Sequence, residues 1–334
     1  MGEFELIRRY FTRPDHTAAA QVVLGIGDDC ALLQPAPGMQ MAISSDMLVS
    51  GRHFFADADP RKLGHKALAV NLSDLAACGA RPLGFTLALA LPQADPAWLD
   101  PFSQGLWALA DAHGCELIGG DTTKGPLNIC ITVFGEVPAG QALLRSGARP
   151  GDDLYVSGTV GDARLALEDW RGNVQLPTDI RTRARERMDQ PTPRVALGQA
   201  LRGVATAAID ISDGLLGDLG HILTRSRVGA TVDTDSAMHL LAAHAYSTGI
   251  GGLFESESGQ KLMRLCVLNG GDDYELVFTA APRQRAAVQA AALATNTPVA
   301  RIGGIDAEPG LRLRDASGAP VADTFASFEH FAPD

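Results

Sequence analysis

One local pattern recurs along the chain: an apolar run ends in glycine or serine and aspartate follows at once. It occurs at Gly27-Asp28-Asp29, Ser44-Ser45-Asp46, Gly119-Gly120-Asp121, Ile209-Asp210-Ile211-Ser212-Asp213 and Gly270-Gly271-Asp272-Asp273. Strand-like runs closed by such turns and separated by helical segments call for a mixed α/β fold, with carboxylates delivered to sheet rims where glycine lets the backbone approach a ligand. A turn needs no paired aspartates, and clustered carboxylates repel unless cations or solvent screen them. Asp74 adds to the group from a helical segment in which Asn71 and Asp74 share a face with Leu68 and Leu75. Aspartates with hydroxyl and carbonyl oxygens make hard, all-oxygen sites that suit Mg²⁺, and Mg²⁺ usually comes with phosphate.

The 334 residues leave room for two domains, each with its own core. A short helix is expected over 3–11, a strand over 40–45 that ends at Asp46, a helix over 60–78 stopped by Gly79, a strand over 83–91 and a helix over 96–113. Strands over 116–118 and 127–137 would flank a loop at 119–126. The glycine, proline and arginine content of 145–153 reads as a connector, and the boundary is placed near residue 140, giving domains 1–140 and 141–334. Beyond it, strands at 154–157, 205–211, 274–280 and 299–305 alternate with helices at 161–167, 215–225 and 283–294, so both halves are mixed α/β.

Several function classes are excluded. A net charge of −11 argues against a nucleic-acid backbone or an anionic membrane as partner, and no apolar run is long enough to span a bilayer. The five cysteines form no CxxC pair, and the N-terminal residues carry no signal-peptide core, so a cytoplasmic protein is expected. The P-loop, the complete GxGxxG fingerprint and the GxSxG elbow are all absent. The Gly-rich turn Gly158–Ala163 remains as a cradle that backbone amides at a helix N-terminus could offer to phosphate. His53, seven residues after Asp46, is expected on the same rim. Phosphoryl transfer relies mainly on positioning and charge neutralisation, so an aspartate-rich site without a nucleophile is chemically suited to it.

The blocks GIGDDCALL, NLSDLAACGA, GGDTT, RSGARPGD, IDISDGL and GGDDYEL stand in an order and spacing that resemble the thiamine-monophosphate kinase family, of the superfamily that includes aminoimidazole ribonucleotide synthetase. The likeness runs from Phe4 to about Phe331. It implies a two-domain fold whose N-terminal sheet pairs with that of a second copy into a barrel, and ATP- and Mg²⁺-dependent phosphorylation of thiamine monophosphate by a homodimer. It implies that Asp29, Ser44, Ser45, Asp46, Asp74, Asp121, Asp210 and Asp213 hold Mg²⁺, with Asp46, Asp74 and Asp213 central to catalysis. Gly120, Asp121, Arg145 and Ser212 would contact ATP, and His53, Asp272 and Phe325 would lie by the thiamine phosphate. The family often has Ser-Thr-Asp at Ser44-Ser45-Asp46, Glu at Asp272 and Trp at Phe325, so its substrate end departs most. Two rivals stay open: an ATP-dependent synthetase on the same fold, and a non-catalytic metal or nucleotide sensor.

Overall fold

The computed structural model describes residues 2–13, 19–242, 254 and 256–321. Two compact units emerge, one of residues 1–75 and 80–142, the other of 76–79 and 143–334.

The first unit opens with α1 (Glu3–Leu6), which continues as one wider turn through Phe11, and a two-stranded ribbon of β1 (Val22–Leu24) and β2 (Leu32–Leu33). Then come β3 (Met39–Val49), α2 (Pro60–Ala77), β4 (Arg81–Leu91), α3 (Pro96–His113), β5 (Glu116–Lys124) and β6 (Asn128–Pro138). The four long strands form one sheet in the order β3-β6-β4-β5, antiparallel except for the parallel β4–β5 pair. β4 lies inside the sheet, its large residues Leu83, Phe85, Leu87, Leu89 and Leu91 on one buried face and the smaller Thr86, Ala88 and Ala90 on the other. Helix α3 starts where Asp95 accepts the Ala97 amide ahead of Pro96, and it stops at left-handed Gly114. Helices α2 and α3 touch backbone to backbone: a methyl on Gly105 would lie 1.8 Å from the Arg61 carbonyl, and one on Gly64 2.1 Å from that of Phe102. Gly105→Ala is therefore expected to force the helices apart and cost roughly 1–3 kcal/mol, read as a lowered denaturation midpoint; an unchanged midpoint would contradict this packing.

Two strands are longer than the sequence suggests. β3 runs through Asp46 to Val49 in unbroken register with β6, so Asp46 stands mid-strand and not at a rim. β5 runs through Gly120 and Asp121 to Lys124, paired with β4, so residues 119–124 are strand and not loop. In both places the pairing partner overrides the turn preference of Ser-Asp and Gly-Gly.

The second unit contains β7 (Asp153–Ser157), α4 (Asp162–Trp170), α5 (Thr178–Asp189), α6 (Val195–Ala200), β8 (Ala207–Asp210), α7 (Leu215–Ser226), β9 (Gly229–Asp233) and α8 (Thr234–Met238). It continues with α9 (Glu257–Asn269), β10 (Leu276–Ala280), α10 (Arg285–Ala294), β11 (Val299–Asp306) and β12 (Gly310–Arg314). Its six-stranded sheet has the order β12-β9-β11-β7-β10-β8, with only β12–β9 parallel. Leu154, Val156, Ile209, Leu215, Leu219, Ile222 and Val277 are among the buried side chains that join the sheet to its helices. Among the described residues, no helix is long and apolar enough to cross a membrane.

Candidate active site

In the first unit, strand alternation sorts the expected ligands. Ser44 and Asp46 share the face of β3 on which α2 lies, and α2 brings Asn71 and Asp74 to them. The Ser44 hydroxyl donates to Asp74 Oδ2, and the Asp46 amide donates to Asn71 Oδ1 at 3.1 Å. Asn71 is itself fixed by donating from Nδ2 to the Ala67 carbonyl at 3.1 Å. Ser45 faces the other way, its hydroxyl 2.9 Å from that of Thr132 and 3.2 Å from the Ile131 carbonyl, so its side chain does not join Asp46 and Asp74.

Burial, and then the neighbouring charge of Asp74, push the Asp46 carboxyl up to about 6. The fold thus favours protonated Asp46, and that contribution to stability is complete below the ordinary value of 3.8 and lost as the pH rises through about 6. Asp46→Asn is expected to raise the stability of the Mg²⁺-free protein by about 1–2 kcal/mol at pH 8, a gain that vanishes toward pH 4. Thermal melts in chelator across that range check it, and an equal shift at both ends would refute it.

The remaining acidic positions are spread out. Asp46, Ile131, Leu87 and Gly120 pair in one row across the sheet, which puts Gly120 and Asp121 on the opposite edge strand, three strand spacings or roughly 14 Å from Asp46. Gly120 is required there, because a methyl would lie 1.9 Å from the Leu87 carbonyl. Asp29 is exposed between β1 and β2, its amide donating to Asp28 Oδ1 at 2.9 Å. His53 follows β3 in a turn where its Nδ1 accepts the Val49 amide at 3.0 Å, which leaves Nε2 as the protonated donor.

In the second unit, the β8–α7 turn carries Asp210, buried at the strand end, and partly exposed Ser212 and Asp213. The loop before β10 is pinned to it: the Asp272 amide donates to the Ser212 carbonyl and the Tyr274 amide to that of Ile211, both at 2.9 Å. Asp272 and Tyr274 take left-handed φ of 73° and 54°, which turns Asp273 inward between them. Asp273 Oδ2 accepts the Gly161 amide at 2.8 Å. Gly158–Ala163 is thus no open phosphate cradle, since the chain's own carboxylate already holds the amide at the start of α4. Burial keeps the Asp273 carboxyl well above the usual range.

Arg145 is exposed, and its carbonyl accepts from Ser226 Oγ at 3.3 Å. That places its backbone at the C-terminal end of α7, about 16 Å along the axis from the Ser212–Asp213 end. Phe325 lies outside the described residues. Sequence reasoning missed the organising roles of Asp218 and Asp273; their signals are an acidic residue in the first turn of α7 and the second aspartate of GGDDYEL.

Among the described residues, no three His, Cys, Asp or Glu side chains form a group able to hold a metal. The donor chemistry nevertheless fits Mg²⁺. This ion keeps waters and commonly takes one or two carboxylates plus substrate phosphates, and Asp46 and Asp74 are a carboxylate pair whose repulsion a divalent cation would relieve.

Comparison with known proteins defines the family. The N-terminal domain of AIR synthase related proteins matches residues 27–137 and the C-terminal domain residues 149–316. The chain is 47% identical to the thiamine-monophosphate kinase of Salmonella typhimurium and 45% identical to that of Escherichia coli K12, over 99% of this chain and 98% of each relative. The crystal structure of thiamine-monophosphate kinase from Stenotrophomonas maltophilia matches with a TM-score of 0.79 and 48% identity, over 88% of this chain and 91% of that one. A structure described as "AaThiL complexed with AMPPCP and TMP" matches with a TM-score of 0.73 and 26% identity, over 89% of each chain. This chain therefore belongs to the AIR synthase related family and, within it, to the thiamine-monophosphate kinases.

Proposed function

We infer that this protein transfers the γ-phosphoryl group of ATP to the phosphate of thiamine monophosphate, giving thiamine diphosphate and ADP. The observation that carries this reading is the identity of 47% with a thiamine-monophosphate kinase across essentially the whole of both chains. A relative bound to AMPPCP, an ATP analogue, and TMP supports ATP as the co-substrate.

Transfer is direct and in line. The acceptor phosphate is already an anion near neutral pH, so no strong general base is required. When bound, Mg²⁺ neutralises polyphosphate charge and stabilises the transferring group. Several ions are expected: Ser44, Asp46 and Asp74, with Ser45, Asp29 and Asp121, are the oxygen ligands the first unit would offer, and Asp210 and Asp213 those the second would offer. Gly120, Asp121, Arg145 and Ser212 face ATP in this reading. His53 Nε2–H and Asp272 address the thiamine phosphate, along with Phe325.

The protein is read as a homodimer. The face of the first sheet away from α2 presents Ile43 and Met47, 62% and 54% exposed, beside Val49 and Thr132, and a second copy of the same sheet suits so apolar a surface. A cytoplasmic location accords with five free cysteines.

Purified protein should form thiamine diphosphate and ADP only when ATP, Mg²⁺ and thiamine monophosphate are all present. ATP binding without that product would overturn the reading in favour of a synthetase or a sensor.

A further inference from the structure

The N-terminal turn of α7 is arranged in an unusual way. A helix start offers free amides, which normally makes it a seat for anions. Here that seat is filled from within: Asp218, 3% exposed, accepts the amides of Ser212, Asp213 and Gly214 through the single atom Oδ2, at 3.0, 3.0 and 3.1 Å. Gly214 permits the geometry, with φ of 123° and no room for a methyl, which would lie 2.8 Å from the Asn269 carbonyl. With three consecutive N–H groups turned inward, the Ser212 and Ile211 carbonyls point away from Asp218 and receive the Asp272 and Tyr274 amides. One buried carboxylate therefore sets the path of the backbone that bears Ser212 and Asp213, and the loop that bears Asp272 docks on that path. The start of α4 shows the same device, with Asp273 on the Gly161 amide.

We propose that Asp218 is a positioning residue for the reaction: by gathering the three amides of the β8–α7 turn it fills the anion seat of α7 and holds Asp213 where its carboxylate meets a substrate-bound divalent cation. In consequence the triphosphate cannot rest on these amides and is met here through cations. The proposal rests on the reading of Asp213 as a cation ligand. Asp218 acts through the backbone amides of Ser212, Asp213 and Gly214, and its position matters more than its charge.

The test separates position from charge in the full-length protein, with Mn²⁺ as the probe. Asp218→Asn keeps an acceptor at the same reach and removes the charge; Asp218→Glu keeps the charge and lengthens the side chain by one methylene. Folding of each is confirmed by thermal melting. Mn²⁺ affinity in the presence of ADP is measured by electron paramagnetic resonance, and the Mg²⁺ concentration for half-maximal rate by steady-state assay. Asp218→Glu is expected to weaken Mn²⁺ binding and raise the Mg²⁺ requirement tenfold or more, with KM for thiamine monophosphate within threefold of wild type. Asp218→Asn should stay within threefold on all three. Wild-type Mn²⁺ affinity in Asp218→Glu, or a tenfold loss in Asp218→Asn, overturns the proposal. Asp213→Asn measured alongside must itself lose Mn²⁺ affinity. If it does not, the ligand reading of Asp213 fails first, an outcome distinct from failure at position 218 alone.

Discussion

Asp74→Asn is expected to fold normally and to turn over at least two orders of magnitude more slowly than the wild type, in the range seen when a preorganised charge is removed from a transition state. The substitution is nearly isosteric, and the remaining side-chain oxygen still accepts the Ser44 hydroxyl, so the packing of α2 on β3 has no reason to change. What disappears is one of the two charges that face each other at Asp46 and Asp74. In the Mg²⁺-free protein that loss relieves repulsion, and the Asp46 carboxyl, raised to about 6 by burial and by Asp74, should titrate at lower pH. In the working enzyme the same loss removes half of the carboxylate pair that would hold the cation against the polyphosphate. Lower activity combined with undiminished thermal stability is therefore the expected signature. Steady-state kinetics at saturating Mg²⁺ with parallel melting curves measures both, and near-normal turnover would remove Asp74 from the catalytic set.

The alternation of strands and helices was legible in the sequence because the local signals agree with one another. Helix α3 shows why: Asp95 ahead of Pro96 marks its start, Gly114 marks its end, and Leu99, Phe102, Leu106 and Leu109 mark the buried stripe. The pairing of Asn71 with Asp74 on one helix face was readable from their spacing, and α2 does present both to β3. Strand ends were not readable. Ser-Asp at position 46 and Gly-Gly at 119–120 are turn formers by local preference, yet β6 and β4 supply continuous partners, and the tertiary ladder prevails. A second limit is orientation: the sequence presents Ser44, Ser45 and Asp46 as one oxygen-rich cluster, whereas the pleat sends Ser45 to the opposite face.

The third limit concerns carboxylates that act inward. Asp213 and Asp218, or Asp272 and Asp273, look alike as letters. One member of each pair is partly exposed beside the β8–α7 turn, while the other is buried and spent on backbone amides. The amide that claims Asp273 is brought near only by the fold, whereas those that claim Asp218 lie four to six residues before it, so its place in the first turn of α7 is the one mark the sequence carries. The Gly158–Ala163 turn is the clearest consequence. Its glycines suggest an open cradle, but Asp273, more than a hundred residues later in the chain, has already filled it.

Glu275 extends this logic from the site to stability, and its removal is expected to have the largest effect on folding. It is fully buried, and its two oxygens accept from Ser157 Oγ at 2.6 Å, Arg194 Nε at 2.6 Å, Arg194 Nη2 at 2.5 Å and Arg187 Nη2 at 2.8 Å. Ser157 in turn accepts the Leu276 amide at 2.8 Å, so one carboxylate ties the end of β7, helix α5, the start of α6 and the start of β10. Glu275→Ala leaves two mostly buried guanidinium groups facing each other without a counter-charge, which costs about 3–5 kcal/mol and should lower the melting temperature by roughly 6–20 °C. Glu275→Gln keeps an acceptor but no charge and should lie between the two. Catalysis should respond differently. Asp272 stays held by the Ser212 carbonyl, and Asp273 by the Gly161 amide, so at 20 °C, below the transition, KM for thiamine monophosphate should change less than threefold in Glu275→Ala. A melting temperature within 2 °C of wild type would show that the arginines find other partners at no cost. A large rise in KM with stability preserved would instead make Glu275 part of the substrate site, and the buried half of GGDDYEL would have to be read as recognition and not as support.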